Sequence, residues 1–176
     1  MAAPKVPIDV DATTGIWRTD GLAMVYLPLH FLVNNHLAAD EALGVEAYRA
    51  ILRKATERSA LHWCNTESRT HGLTPEQTFR HYFKRSSQRG WGRFTIELLD
   101  TVGGRGHIAL EHSIFALECS PSTNRRVCYM FEGFMTGAFR YLIGDNPGAA
   151  NVDCHEAQCA AEGNHDRCRF ELAASV

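Results

Sequence analysis

No segment of the 176-residue chain approaches the roughly 18 uninterrupted apolar residues that a membrane-spanning helix needs. The N-terminus, MAAPKVPIDVDATTG, lacks the apolar stretch of a secretory signal, so a cytoplasmic location is expected. Excess charge is missing too: a net charge of −2 and a pI near 6.5 leave no broad field to attract nucleic acid or an anionic membrane. The basic stretch HYFKRSSQRGWGR is short enough to be one solvated helix face. A dinucleotide fingerprint is absent, because VGGRG lies between two strand-like segments rather than between a strand and a helix. No phosphate loop or Ser/His/Asp signature appears. Neighbours such as Glu111–His112 and Glu67–His62 are acid–base pairs of a kind common by chance. No catalytic residue is therefore assigned, and the reading leans away from an autonomous enzyme. With no internal repeat and no long linker, the length implies one domain.

Residues 1–20 are polar and read as an extended arm with at most one short strand. LPLHFLVNNHL opens a helical half. Asp40 is placed as the N-cap of an amphipathic helix through EALGVEAYRAILRKATERSALHWC, with Ala47, Ile51, Leu52 and Ala55 at core spacing. Gly72 ends that helix. Thr74, Pro75 and Gln77 form a capping box that starts the next one, which stops at Gly90. The period then changes to two: Phe94, Ile96 and Leu98 should share the buried face of a strand. HIALEHSIFALE is expected as its hairpin partner. After the loop SPSTNRR, a helix over VCYMFEGFMTGAFRYLIG ends at Gly144. The loop DNPGAAN then leads to a closing hairpin, VDCHEAQC and RCRFEL. The order predicts an α+β fold, with helices packed on an antiparallel sheet.

Six cysteines in a reducing compartment favour metal or catalytic chemistry over disulfides. Three of them, Cys154, Cys159 and Cys168, fall in one 15-residue window. Zinc takes four tetrahedral ligands from Cys, His and carboxylate, often on a hairpin with others arriving from elsewhere. Glu156, Cys159 and Cys168 can face one point, and Cys128 is the best fourth ligand, pinning the terminal hairpin to the preceding helix. Cys154, His155 and His165 compete for places in that set. Buried unligated thiols or an iron–sulfur cluster are the other readings of the same spacing.

Cys128, the run Gly133-Phe134-Met135-Thr136-Gly137, Glu156, Cys159, Gly163 and Cys168 resemble the C-terminal signature of the 4-vinyl-reductase domain family. Met135 departs from the small residue usual there, and the loop around GDNPGAANV looks long. The family includes ligand-sensing domains of bacterial aromatic-hydrocarbon regulators, and its fold is related to that of trafficking-complex subunits. The resemblance implies a structural zinc at Cys128, Glu156, Cys159 and Cys168, and one domain spanning residues 21–176. It also implies an apolar cavity between helices and sheet for a small hydrophobic or aromatic ligand. Trp91, Phe94, His112, Phe115, Tyr129 and Phe134 are the expected ligand-binding residues, with His112 turned inward. HFLVNNHL, HWC and SQRGWG also resemble a narrower bacterial group of unassigned function associated with dimethylglycine breakdown.

The expected function is a zinc-stabilised sensor or carrier domain acting through a separate partner, since the chain ends four residues after Leu172. The alternatives are a protein-interaction or accessory subunit of a catabolic system, as a homodimer or docked on a partner, and, behind it, a reductase-type enzyme. Gly133 and Gly137 lie four apart on a helix carrying Glu132 and Arg140, which points to close packing rather than a membrane dimer.

Overall fold

The computed structural model describes residues 6–119, 124–144 and 151–174. Three short strands, β1 (Asp9–Val10), β2 (Trp17–Thr19) and β3 (Leu22–Met24), form an antiparallel meander where an arm with at most one strand was expected. The signal for it is Asp20-Gly21. Both residues have positive φ (53° and 79°), as a two-residue hairpin turn requires, and Thr19 pairs with Leu22 across it.

Helix α1 (Leu29–Leu43) runs past Asp40, which lies inside it and is buried rather than capping a new helix. Asp40 accepts hydrogen bonds from the Arg125 guanidinium at 2.8 Å and from the Tyr129 hydroxyl. The break falls at Gly44, whose φ 80° and ψ 146° suit glycine, and α2 (Val45–His71) follows. Its buried face is Thr56, Ala60, Trp63, Cys64 and Glu67. Ala47, Ile51 and Ala55 point to solvent and Leu52 is half-buried, a rotation decided by the neighbouring helix rather than by α2 itself. Gly72 caps α2 in the left-handed region. The Thr74–Gln77 capping box opens α3 (Pro75–Gln88) as expected.

The hairpin of β4 (Arg93–Asp100) and β5 (Arg105–Glu111) forms through the glycine turn. A bulge between Ile96 and Leu98 reverses the alternation, so Leu98 is exposed and Leu99 packs on the core instead. The partner strand is shorter than expected. It ends at Glu111, His112 takes φ 54°, and Ile114–Cys119 form α4. α5 (Met130–Ile143), capped by Gly144, leads to the closing hairpin of β6 (Val152–Gln158) and β7 (Cys168–Ala174). Residues 120–123 and 145–150 of the two expected loops lie outside the described residues.

β5 pairs with β7, which merges the two hairpins into one antiparallel sheet of order β4-β5-β7-β6. α5 is buried on nearly all sides, as an apolar helix between layers should be, and packs on both the sheet and α2. Gly133 and Gly137 meet the α2 backbone near Arg53 and Glu57, so the small-residue face serves close helix contact. A buried ion pair holds these layers in register. Arg49 on α2 grips the fully buried Glu132 of α5 through both carboxylate oxygens, and Glu132 in turn accepts the Glu156 amide of β6 at 2.8 Å.

Candidate functional site

Two features stand out: a thiol–carboxylate cluster at the sheet end and an aromatic cavity between the helices. The cluster is built by three local devices. Cys128 sits two residues before α5, Cys168 begins β7, and Glu156 lies on the inward face of β6. In a regular strand Glu156 and Cys159 would face opposite sides. The register shift between Glu156 and Gln158 adds the residue that turns both inward. Cys159 then heads a single 3-10 turn, Ala160–Glu162, that brings the chain back.

All four residues are fully buried, and one donor atom from each lies within 4.8 Å of the other three, an arrangement that could hold a metal ion. The sulfur separations are 3.5 Å (Cys128–Cys168), 3.7 Å (Cys159–Cys168) and 3.9 Å (Cys128–Cys159), well beyond a disulfide. The Cys128 amide donates to Glu156 Oε2 at 3.1 Å, while Oε1 is buried with no partner among the described residues. That orphan oxygen is the one free for a cation. Ser113, which nothing in the sequence singled out, places its hydroxyl 3.0 Å from Cys128 Sγ, and the Ala160 amide donates to Cys168 Sγ at 3.4 Å. Burial pushes the Cys128 thiol and the Glu156 carboxyl up. Cys159 is held far below the ordinary thiol range by hydrogen bonds from Cys128 and Cys168. A divalent ion held among these groups would favour ionising all of them.

The competing residues lie elsewhere. Cys154 is buried against the Met135 sulfur at 3.9 Å, which accounts for the large residue at that helix position. His155 faces Glu171 (3.5 Å) and His165 faces Glu162 (3.8 Å).

The cavity, about 400 Å³, is bounded by β3, α2, α3, the start of β4 and α5. Of the expected ligand residues, Trp91, Phe94 and Phe134 line it. Phe115 and Tyr129 do not. They are core residues stacked about His36, with ring centroids 4.5 and 4.9 Å away. His112 is exposed, because β5 has already ended and the left-handed turn into α4 swings it outward. Phe131 and Phe83 also line it, with Trp63 and Tyr82, Phe131 lying 5.5 Å from Phe94 and 5.9 Å from Trp91. The positions of Phe131 and Phe83 one turn from Phe134 and Phe79 were a usable helical signal; Arg89, also in the lining, had none.

Behind the cavity wall lies a second polar group. Glu67, fully buried, reaches His81 at 3.0 Å and His71 at 3.4 Å, not the exposed His62. Arg85 and Arg89 are not solvated but turn toward buried Asp20, at 3.0 and 3.6 Å. Glu111 pairs with Arg93 rather than His112.

A family model described as a domain of unknown function (DUF5943) matches residues 2–97. Among curated proteins none matches the chain. The crystal structure of the phenol-responsive sensory domain of the transcription activator PoxR, with phenol, superposes with TM-score 0.77 at 18% identity, over 95% of this chain and 84% of that one. A trafficking protein particle complex subunit 3 from Naegleria fowleri, covalently bound to palmitic acid, gives 0.59 at 13%, over 84% and 95%. These likenesses show a shared fold. No helix among the described residues is long and apolar enough to cross a membrane.

Proposed function

The chain belongs to the DUF5943 family, and we propose that it is a small-molecule-binding domain, a sensor or carrier, whose terminal hairpin is clamped by zinc and whose bound state is read by a separate partner. The observation that carries this reading is the aromatic-walled cavity. Its volume lies in the range of ligand sites, and it is mostly apolar with a few polar groups. The shared fold with a phenol-responsive sensory domain supports the same class of ligand, a small aromatic. Residues 21–176 form the binding unit, and β3 belongs to it because Leu22, Ala23 and Met24 line the cavity. The association with dimethylglycine breakdown adds nothing to this argument.

Zinc suits the cluster on donor type and on spacing. A tetrahedral zinc with bonds of about 2.3 Å separates its sulfurs by about 3.8 Å, close to the three distances found. Cys128, Glu156, Cys159 and Cys168 would hold it with no position open for substrate, so its chemistry is structural. Bound there, it ties the β6–β7 turn to the start of α5 and adds to folding stability.

Native mass spectrometry on the purified chain beside a denatured control tests both parts. One zinc per chain, lost on denaturation, is expected, together with uptake of a small aromatic on titration. Cys159→Ala should release the metal and lower the melting temperature. A metal-free native chain that does not take up supplied zinc would overturn the clamp.

A second reading, a docking subunit or homodimer, is favoured by one surface. Val25, Tyr26, Leu27 and Phe31 are 76%, 83%, 47% and 52% exposed, and Tyr26 stacks on Trp17 at 5.9 Å. This strip continues directly from the β3 residues that line the cavity, so a ligand could bias docking. Sedimentation of the wild type and Tyr26→Asp tests it, self-association lost in the variant being the supporting result.

A further inference from the structure

The polar groups of the cavity are one-sided. Among the described residues its lining carries one formal cation, Arg89, and no carboxylate. Arg89 Nε and Nη2 are buried with no hydrogen-bond partner among the described residues, and the same holds for Trp63 Nε1, on a residue only 7% exposed. The two donors belong to one cluster, since the Arg89 guanidinium carbon sits 5.4 Å from the Trp63 ring centre.

Local anions satisfy this guanidinium only in part. Asp20 commits Oδ1 to Arg85 at 3.0 Å, while its Oδ2, buried without a hydrogen-bond partner, ion-pairs with Arg89 Nη2 at 3.6 Å and leaves Arg89 Nε unmatched. Glu67, the other carboxylate nearby, is engaged by His81 and His71. Burial pushes the Arg89 guanidinium below its usual range despite both carboxylates. Buried donors without acceptors are expensive, and charged ones more so, so a fold that keeps two of them on a cavity wall implies an acceptor supplied from outside. A neutral hydroxyl offers one oxygen to a fork that presents several donors. A carboxylate presents two acceptor oxygens in the plane of the guanidinium fork. Phe83, Trp91, Phe94, Phe131 and Phe134 give the wall its aromatic faces, with Ser59, His62, Tyr82 and Ser86 as its further polar side chains.

We infer that the cavity binds a small monoanionic ligand, a compact aromatic body bearing a carboxylate, with the carboxylate seated on Arg89 and Trp63. The inference rests on the ligand-binding reading above and narrows it from small aromatics in general to aromatic acids.

Isothermal titration calorimetry of the full chain, as purified, with benzoate, benzyl alcohol and phenol tests it. Benzoate and benzyl alcohol share shape but not charge, so the wild-type comparison needs no mutant. Benzoate should bind about ten- to a hundredfold more tightly than either neutral probe, the gain expected of a charge-assisted hydrogen-bond pair. Arg89→Met should erase that preference while retaining the neutral probes, and Arg89→Lys should restore part of it. Neutral probes binding as well as benzoate in the wild type would overturn the inference and leave the cavity reading standing. Binding of none of the three would overturn both.

Discussion

Replacing Gly137 by alanine tests the contact that sets the distance between α2 and α5. An added Cβ would lie 2.4 Å from the Glu57 carbonyl oxygen, 3.1 Å from its carbon and 2.9 Å from the Ala60 methyl. Two of these three atoms belong to the α2 backbone, so no side-chain rotation relieves the clash and the helices must separate. Overpacking of this kind costs about 1–3 kcal/mol, and backbone contact places it near the upper end. Alanine is intrinsically better than glycine in a helix by about 1 kcal/mol, which opposes the loss. The net expectation is a destabilisation of about 2 kcal/mol, or roughly 4–8 °C in Tm for a chain of this size. Urea unfolding followed by circular dichroism reads it directly, as a lower midpoint at unchanged slope. Adding Ala60→Gly should recover part of the loss, since it removes the methyl but leaves the carbonyl. A Gly137→Ala protein as stable as the wild type, or more stable, would show that the helix backbones are not in contact and refute the reasoning.

Arg49→Leu strips Glu132, which is fully buried, of its bidentate partner, leaving it the Glu156 amide at 2.8 Å and the Arg53 guanidinium at 3.9 Å. Breaking a fully buried pair costs about 3–5 kcal/mol; because the Arg49 side chain is 28% exposed, about 2–3 kcal/mol is expected by urea unfolding. An unchanged midpoint would remove this ion pair from the account of stability. Stability should also fall in mild acid. Burial lowers the pKa of His36 and of His81, so below the unfolded value near 6.5 the unfolded chain takes up protons that the native chain refuses. The loss begins near pH 6.5, deepens toward the folded values by up to about 1.4 kcal/mol per pH unit for each histidine, and is absent above. His36→Phe, measured beside the wild type so that acid effects at the cysteine cluster cancel, should flatten the slope; an identical pH profile would remove His36 from the account.

The readings that held were those carried by residues close in sequence. Gly72 and Gly144 end helices because the chain there needs a backbone conformation glycine adopts cheaply, and the Thr74–Gln77 box satisfies α3's first amides from its own side chains. The Asp20-Gly21 hairpin was equally legible, yet two- and three-residue strands without apolar alternation concealed it. The four metal-ligand candidates were visible as residue types, but their convergence depends on a one-residue bulge in β6, which spacing alone does not announce.

The expected ligand residues divide on the same line. Trp91, Phe94 and Phe134 line the cavity and Phe115 and Tyr129 do not, although all five are aromatics on or beside regular elements. The rotation of α2, which exposes Ile51 and buries Glu67, is set by Gly133 and Gly137 some 80 residues away, and the inward turn of Arg89 by Asp20 on another hairpin. Sequence alone therefore determined the fold class, the helix boundaries set by glycine and capping, and the residue types of the cluster that could hold a metal, because each rests on local backbone preference or residue chemistry. Tertiary structure alone decided which faces are buried, where the strands bulge, and which donors are left unpaired in the cavity wall. Burial and hydrogen-bond satisfaction are properties of contacts between segments, and no single segment carries them.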